Sequence, residues 1–102
     1  MTVKLLVLYT PPADAEEFDR HYLATHVPLV LAMPGLLRFE SGRFAAEQGK
    51  VEPKYYRMAE LYFADQAALD AATRSEEGKA TVADFQQIAP PGSRLLVADL
   101  DD

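Results

Sequence analysis

Phe18-Asp-Arg-His-Tyr-Leu-Ala-Thr-His26-Val-Pro28, running on to Met33-Pro-Gly-Leu36, is the stretch from which the fold is read. Phe18, Tyr22, His26 and Leu29/Val30 recur at helical spacing and define one apolar stripe with an imidazole set into it. Asp14 is an N-cap, and Glu17 three residues on completes a capping-box pattern. Pro28 has no N–H to give the carbonyl four residues back, and it biases Val27 away from helical dihedrals. The stretch therefore reads as a helix, a kink near Thr25–Val27, and a second short helical segment that Pro28 opens and that stops before Pro34-Gly35.

Strands flank this helix. Val3 to Tyr9 is a compact β-favouring run closed by Pro11-Pro12, and Leu36 to Phe44 alternates loosely as a second strand. Ala45 to Lys54 is polar, holds Gly49 and Pro53, and reads as a hairpin loop leading into the aromatic strand Tyr55 to Phe63. Asp65 then caps a helix with Ala68, Leu69 and Ala72 on its apolar side. Ser75 to Ile88 is a weaker helix holding Val82, Phe85 and Ile88, with Gly78 near its start. Pro90-Pro91-Gly92 breaks it, Arg94 to Ala98 is the last strand, and the acidic Asp99–Asp102 reads as frayed. The order β-α-β-β-α-β predicts an α+β, ferredoxin-like antiparallel sheet with helices on one face, formed by residues 1–102 as a single domain.

The other face of that sheet decides the assembly. In the aromatic strand Tyr55, Arg57, Ala59, Leu61 and Phe63 point one way, and Tyr56, Met58, Glu60 and Tyr62 the other. The first strand is apolar on both sides apart from Lys4. Leaving about five large side chains wet forfeits roughly 1.5–3 kcal/mol each, which rivals the ~5–15 kcal/mol stability of a small domain. A second copy packed sheet against sheet covers them economically, so a homodimer is predicted, enclosing a cavity in each protomer.

Composition narrows the partners. A formal charge of −6 argues against nucleic acid and anionic membranes as partners. The chain has no cysteine, hence no disulfide framework or thiol nucleophile, and a cytoplasmic home is the default. Val3 to Tyr9 is too short to span a bilayer and lacks the features of a signal peptide. Nothing resembles a phosphate-binding glycine loop, a dinucleotide fingerprint or a nucleophile elbow, so no cofactor is expected.

The Phe18…Tyr22…His26-Val-Pro28 helix, the Met33-Pro-Gly-Leu36 turn and the strand-to-helix passage Ala59-Glu-Leu-Tyr-Phe-Ala-Asp65 together resemble the EthD family, within the dimeric α+β barrel superfamily. The likeness spans Val3 to about Val97. That resemblance implies a dimeric α+β barrel. The family takes its name from an accessory protein of ethyl tert-butyl ether degradation, and its superfamily includes cofactor-independent monooxygenases, polyketide cyclases, lactone isomerases and haem-degrading enzymes. In lactone-isomerising relatives the histidine of the His-x-Pro motif lies at the cavity, a role that similarity carries to His26. Some of those relatives place a tyrosine where this chain has Phe39, which has no proton to donate.

Taken from the residues, His26 has two readings. It can take and return a proton near neutral pH, or it can be structural, giving an N–H to the carbonyl that Pro28 frees. Glu60 is either a desolvated general acid or base, or a carboxylate paired with an arginine such as Arg38, Arg43 or Arg94. Tyr22, Tyr56 and Tyr62 are expected to orient a substrate oxygen, with Leu6, Leu8, Phe39 and Met58 shaping an apolar pocket. His21 reads as solvent-facing, about 140° round a regular helix from His26. Two functions fit. One is a small dimer that binds an apolar or aromatic carbonyl-containing catabolic metabolite and carries out a cofactor-independent proton transfer, isomerisation, lyase or oxygenation step. The other is a non-catalytic accessory protein supporting a partner oxygenase in xenobiotic degradation.

Overall fold

Val3, Val7 and Tyr9 in the first strand are buried, as are Arg57, Ala59, Leu61 and Phe63 in the third. That alternation sets which face of the sheet receives the helices. The computed structural model of the chain describes residues 1–49 and 52–102. Its elements are β1 (Val3–Tyr9), α1 (Ala15–His21), a π-helical turn (Tyr22–His26), α2 (Val27–Leu31), β2 (Arg38–Arg43), β3 (Arg57–Phe63), α3 (Gln66–Arg74), α4 (Glu76–Ile88) and β4 (Arg94–Asp99). The four strands form one antiparallel sheet in the order β2-β3-β1-β4. This is the ferredoxin-like α+β architecture, with the two helices expected after Asp65 and Ser75 present as α3 and α4 and the central helix running through a π-helical turn.

Register separates the two faces. Leu5 lies opposite Leu61 and Val97, and Phe39 opposite Leu61, so this row faces the helices. Leu6 lies opposite Glu60 and Leu96, and Leu8 opposite Met58, so these residues share the open face. That face is amphipathic: Lys4 pairs with Glu60 at 2.7 Å, and Arg38 pairs with Glu40 at 2.6 Å. Tyr62 lies beneath both cations on the same face. Tyr56 departs from the expected alternation, because β3 begins only at Arg57. Its ring meets Phe18 edge-on at 6.1 Å and its hydroxyl donates to Asp19, which places it on the helix side. Asp19 also accepts from Arg57 at 3.1 Å and so ties α1 to β3.

Asp14 and Asp65 cap their helices through the backbone N–H groups of Glu17 and Ala68. The central helix differs from the expected break. Val27 keeps helical dihedrals of φ −57° and ψ −46° despite the following proline, and its N–H bonds to Tyr22 O. The hydrogen bonding there runs from i to i+5, and this wider turn absorbs the donor that Pro28 lacks. At Gly78 an added Cβ would stand 1.9 Å from Ala72 O, so glycine is what lets α4 start against the end of α3. The acidic terminus is pinned rather than frayed: β4 runs to Asp99 and Leu100 N–H donates to Thr2 O at 2.9 Å. The expected hairpin loop from Ala45 to Lys54 includes residues 50 and 51, which lie outside the described residues.

Candidate functional site

The site grows from three buried positions on separate elements. Tyr9 closes β1 on its helix-facing side and is fully buried. His26 ends the π-helical turn, also buried, and stacks on Tyr22 with ring centroids 5.5 Å apart. Asp84 lies on the buried face of α4 with Thr81. His26 Nδ1 and Asp84 Oδ2 are 2.8 Å apart, and His21 Nε2 and Asp84 Oδ1 are also 2.8 Å apart. An ionised carboxylate only accepts hydrogen bonds, so each imidazole donates one N–H to it. That fixes the His26 tautomer and leaves Nε2 an acceptor, held only by a long 3.4 Å hydrogen bond from the Tyr9 hydroxyl.

The π-helical turn makes this convergence possible. On a regular helix His21 and His26 would project about 140° apart. Bonding from i to i+5 instead brings residues five apart to the same side, and both reach one carboxylate. His21 is thus not simply solvent-facing, although it keeps 33 % of its side chain exposed.

Electrostatics prepare His26 as a base. Burial pulls its imidazole below the ordinary value of 6.5, outweighing the opposing pull of Asp84. Burial acts to raise the Asp84 carboxyl, yet the hydrogen bonds from His21 and His26 hold it below its ordinary value. Burial also pushes the Tyr9 phenol far above its usual range, so it stays a neutral O–H donor. The unit therefore presents a neutral imidazole Nε2, backed by a carboxylate, beside a phenolic hydroxyl.

These groups meet a cavity of about 320 Å³ between helices and sheet. Its floor is Leu5, Val7, Ala59 and Leu61, and its walls include Val30, Met33, Leu69 and Phe85. Tyr9 and His26 lie in its buried lining, while the exposed Gln66, Asp70, Val82, Leu95 and Val97 mark its outer side.

Of the residues singled out in the sequence, His26 lines the cavity. Leu6, Leu8, Met58, Glu60 and Tyr62 lie on the opposite, open face of the sheet. Glu60 is a paired carboxylate, but its partner is Lys4 rather than an arginine. The hydrogen bond from Lys4 is the main cause of a carboxyl held below its ordinary range, against the opposing effect of burial. Phe39 packs against the core, and Tyr22 is buried beneath the Arg57 guanidinium at 4.4 Å; neither lines the cavity. Tyr56 is engaged with Asp19. His26 does not serve a freed carbonyl, since its ring nitrogens face Asp84 and Tyr9. Sequence reasoning missed Tyr9 and Asp84. The signal for Asp84 was its place between Thr81 and Ile88 on the stripe of α4 that also holds Phe85. Among the described residues, no group of three or more His, Cys, Asp or Glu side chains is arranged to hold a metal ion.

Residues 10–89 match the EthD domain. The chain belongs to the EthD family. Among its EthD-type relatives is an ethyl tert-butyl ether degradation family protein from Bacillus halodurans, 37 % identical with a TM-score of 0.93 over 99 % of this chain and 100 % of that one. An uncharacterised 11.0 kDa protein of Rhodococcus erythropolis, encoded in the thcB-thcC intergenic region, is 36 % identical over 94 % of this chain and 92 % of its own length. The EthD fold here is also that of the hydroxynitrile lyase of Passiflora edulis, with a TM-score of 0.80, 12 % identity, and coverage of 99 % and 94 % of the two chains. At that identity the likeness is one of fold alone. No helix among the described residues is long and apolar enough to cross a membrane.

Proposed function

We propose that residues 1–102 form one EthD-like domain that works as a cytoplasmic homodimer and binds an apolar or aromatic carbonyl-containing metabolite. The same site would carry out a proton transfer that needs no cofactor, of the kind used in isomerase and lyase steps. The observation that carries this reading is the buried His26–Asp84 hydrogen bond of 2.8 Å at the wall of an apolar cavity. His26 Nε2 takes a proton from the carbon beside the carbonyl, and Asp84 stabilises the imidazolium that forms. Tyr9 O–H donates to the carbonyl oxygen as negative charge develops there. The imidazolium then returns the proton to the product. A fold shared with a lyase is consistent with such chemistry.

The dimer rests on the uncovered sheet. On that open face Leu96 of edge strand β4, 44 % exposed, lies opposite Leu6, beside the Leu8–Met58 pair. An exposed apolar sheet face invites packing against another chain.

Acetophenone in D2O tests the catalytic reading. Deuterium should enter its methyl group faster with protein than in buffer, and His26→Gln should abolish the acceleration. Binding of acetophenone with no acceleration would overturn catalysis and favour the accessory role.

A further inference from the structure

We propose that the cavity selects uncharged molecules over anions and seats a ligand oxygen on the Tyr9 hydroxyl, beside His26 Nε2. This rests on the binding function above and adds the charge class of the ligand. Neither lysine nor arginine contributes to the lining among the described residues. A carboxylate or phosphate drawn into this apolar space would lose its water with no cation to replace it, and an unpaired buried anion is strongly disfavoured. The fixed negative charges lie on the wrong sides for an anion. Asp84 stands behind His26 at 2.8 Å, and Asp70 contributes to the exposed outer lining.

Thr81 in the buried lining already donates to Glu77 O, whereas Tyr9 and His26 retain capacity for a ligand. The 3.4 Å between the Tyr9 hydroxyl and His26 Nε2 is well beyond the ~2.7–3.0 Å of a good hydrogen bond from a hydroxyl. A ligand oxygen can displace this long bond and accept the Tyr9 O–H instead, and both residues are at least 96 % buried, with exposures of 0 % and 4 %. A neutral carbonyl oxygen accepts from the Tyr9 O–H, and a neutral hydroxyl can both accept from Tyr9 and donate to His26 Nε2. A charged carboxylate also accepts from Tyr9, but its charge stays uncompensated in a lining without a lysine or arginine among the described residues. About 320 Å³ lies at the small end of the ~300–1,000 Å³ typical of ligand pockets, which suits a single substituted ring or a short acyl chain.

Titrations of the full chain with acetophenone, benzoate and ethylbenzene, followed by NMR at neutral pH, separate the elements of this proposal. Acetophenone and benzoate have the same heavy-atom count and the same ring, so size does not distinguish them. Acetophenone should bind about tenfold or more tightly than benzoate, shifting the His26 and Tyr9 ring resonances. Tyr9→Phe, which keeps the ring and its packing, should weaken acetophenone several-fold and leave ethylbenzene unchanged. Benzoate binding as tightly as acetophenone would overturn the selection against anions. Equal acetophenone affinity in Tyr9→Phe would overturn the oxygen seat. Failure of acetophenone and ethylbenzene alike to bind would overturn the small-molecule cavity itself. Selective binding without deuterium exchange would leave this inference standing and remove only the catalytic step.

Discussion

Asp84 and His26, 58 positions apart in the chain, meet in a buried 2.8 Å hydrogen bond that also fixes which imidazole nitrogen faces the cavity. The opposite carboxylate oxygen holds His21 at the same distance. One residue of α4 thus anchors the π-helical turn and sets the chemistry of its histidine.

Asp84→Asn should cost about 1.5–3 kcal/mol, the usual worth of a hydrogen bond to a charged group. It should also stop acceleration of deuterium exchange, because the neutral amide stabilises the imidazolium far less and has one acceptor oxygen where two histidines now donate. Thermal unfolding with ¹⁵N spectra of the two histidines checks both outcomes. An unchanged His26 tautomer would contradict the assigned role.

Stability should fall as the pH drops below about 6.5, the ordinary histidine value. The His26 pKa is lowered in the folded chain, so the unfolded chain binds more protons in this window. The contribution is complete above 6.5 and is lost as the pH falls through the folded value. Asp84, also lowered, adds a loss of the same sign in the acidic range. Melting curves of wild type and His26→Gln against pH should show the near-neutral part of the slope only in wild type.

Gly78→Ala should be among the most damaging single-methyl changes in the described chain. The new carbon would press on Ala72 O and Thr73 Cα, both backbone, which cannot yield as a side chain tip can. Overpacking of this kind costs about 1–3 kcal/mol and sometimes more. Urea unfolding provides the measure, and a loss under about 0.5 kcal/mol would mean that α3 and α4 separate freely.

Leu96→Glu places a charge on the open face opposite Leu6, away from the cavity. In a sheet-to-sheet dimer it should shift the species seen by sedimentation from dimer to monomer while leaving the protomer folded. A dimer of undiminished affinity would place the interface elsewhere.

Local pattern made much of the fold legible. The alternation of Arg57, Ala59, Leu61 and Phe63, the caps Asp14 and Asp65, and the breaks at Pro34-Gly35 and Pro90-Pro91-Gly92 depend on near neighbours in sequence. For the same reason alternation misplaces Tyr56: it assumes a regular pleat, and the pleat begins one residue later. Gly78 weakens α4 by its local propensity, and its reason lies in the backbone of another helix.

The sequence by itself determined the order of elements, the buried stripe of the central helix and the place of His26 on that stripe. Those follow from periodicities of two and 3.6 residues, which a chain carries locally. Only the tertiary structure decided that Pro28 would be absorbed by a π-helical turn, that His21 and His26 would share Asp84, and that the cavity would form under the helices with Tyr9 beside it. Such convergence depends on how packed elements meet across long sequence separations. The burial that tunes His26 exists only once they have closed around it.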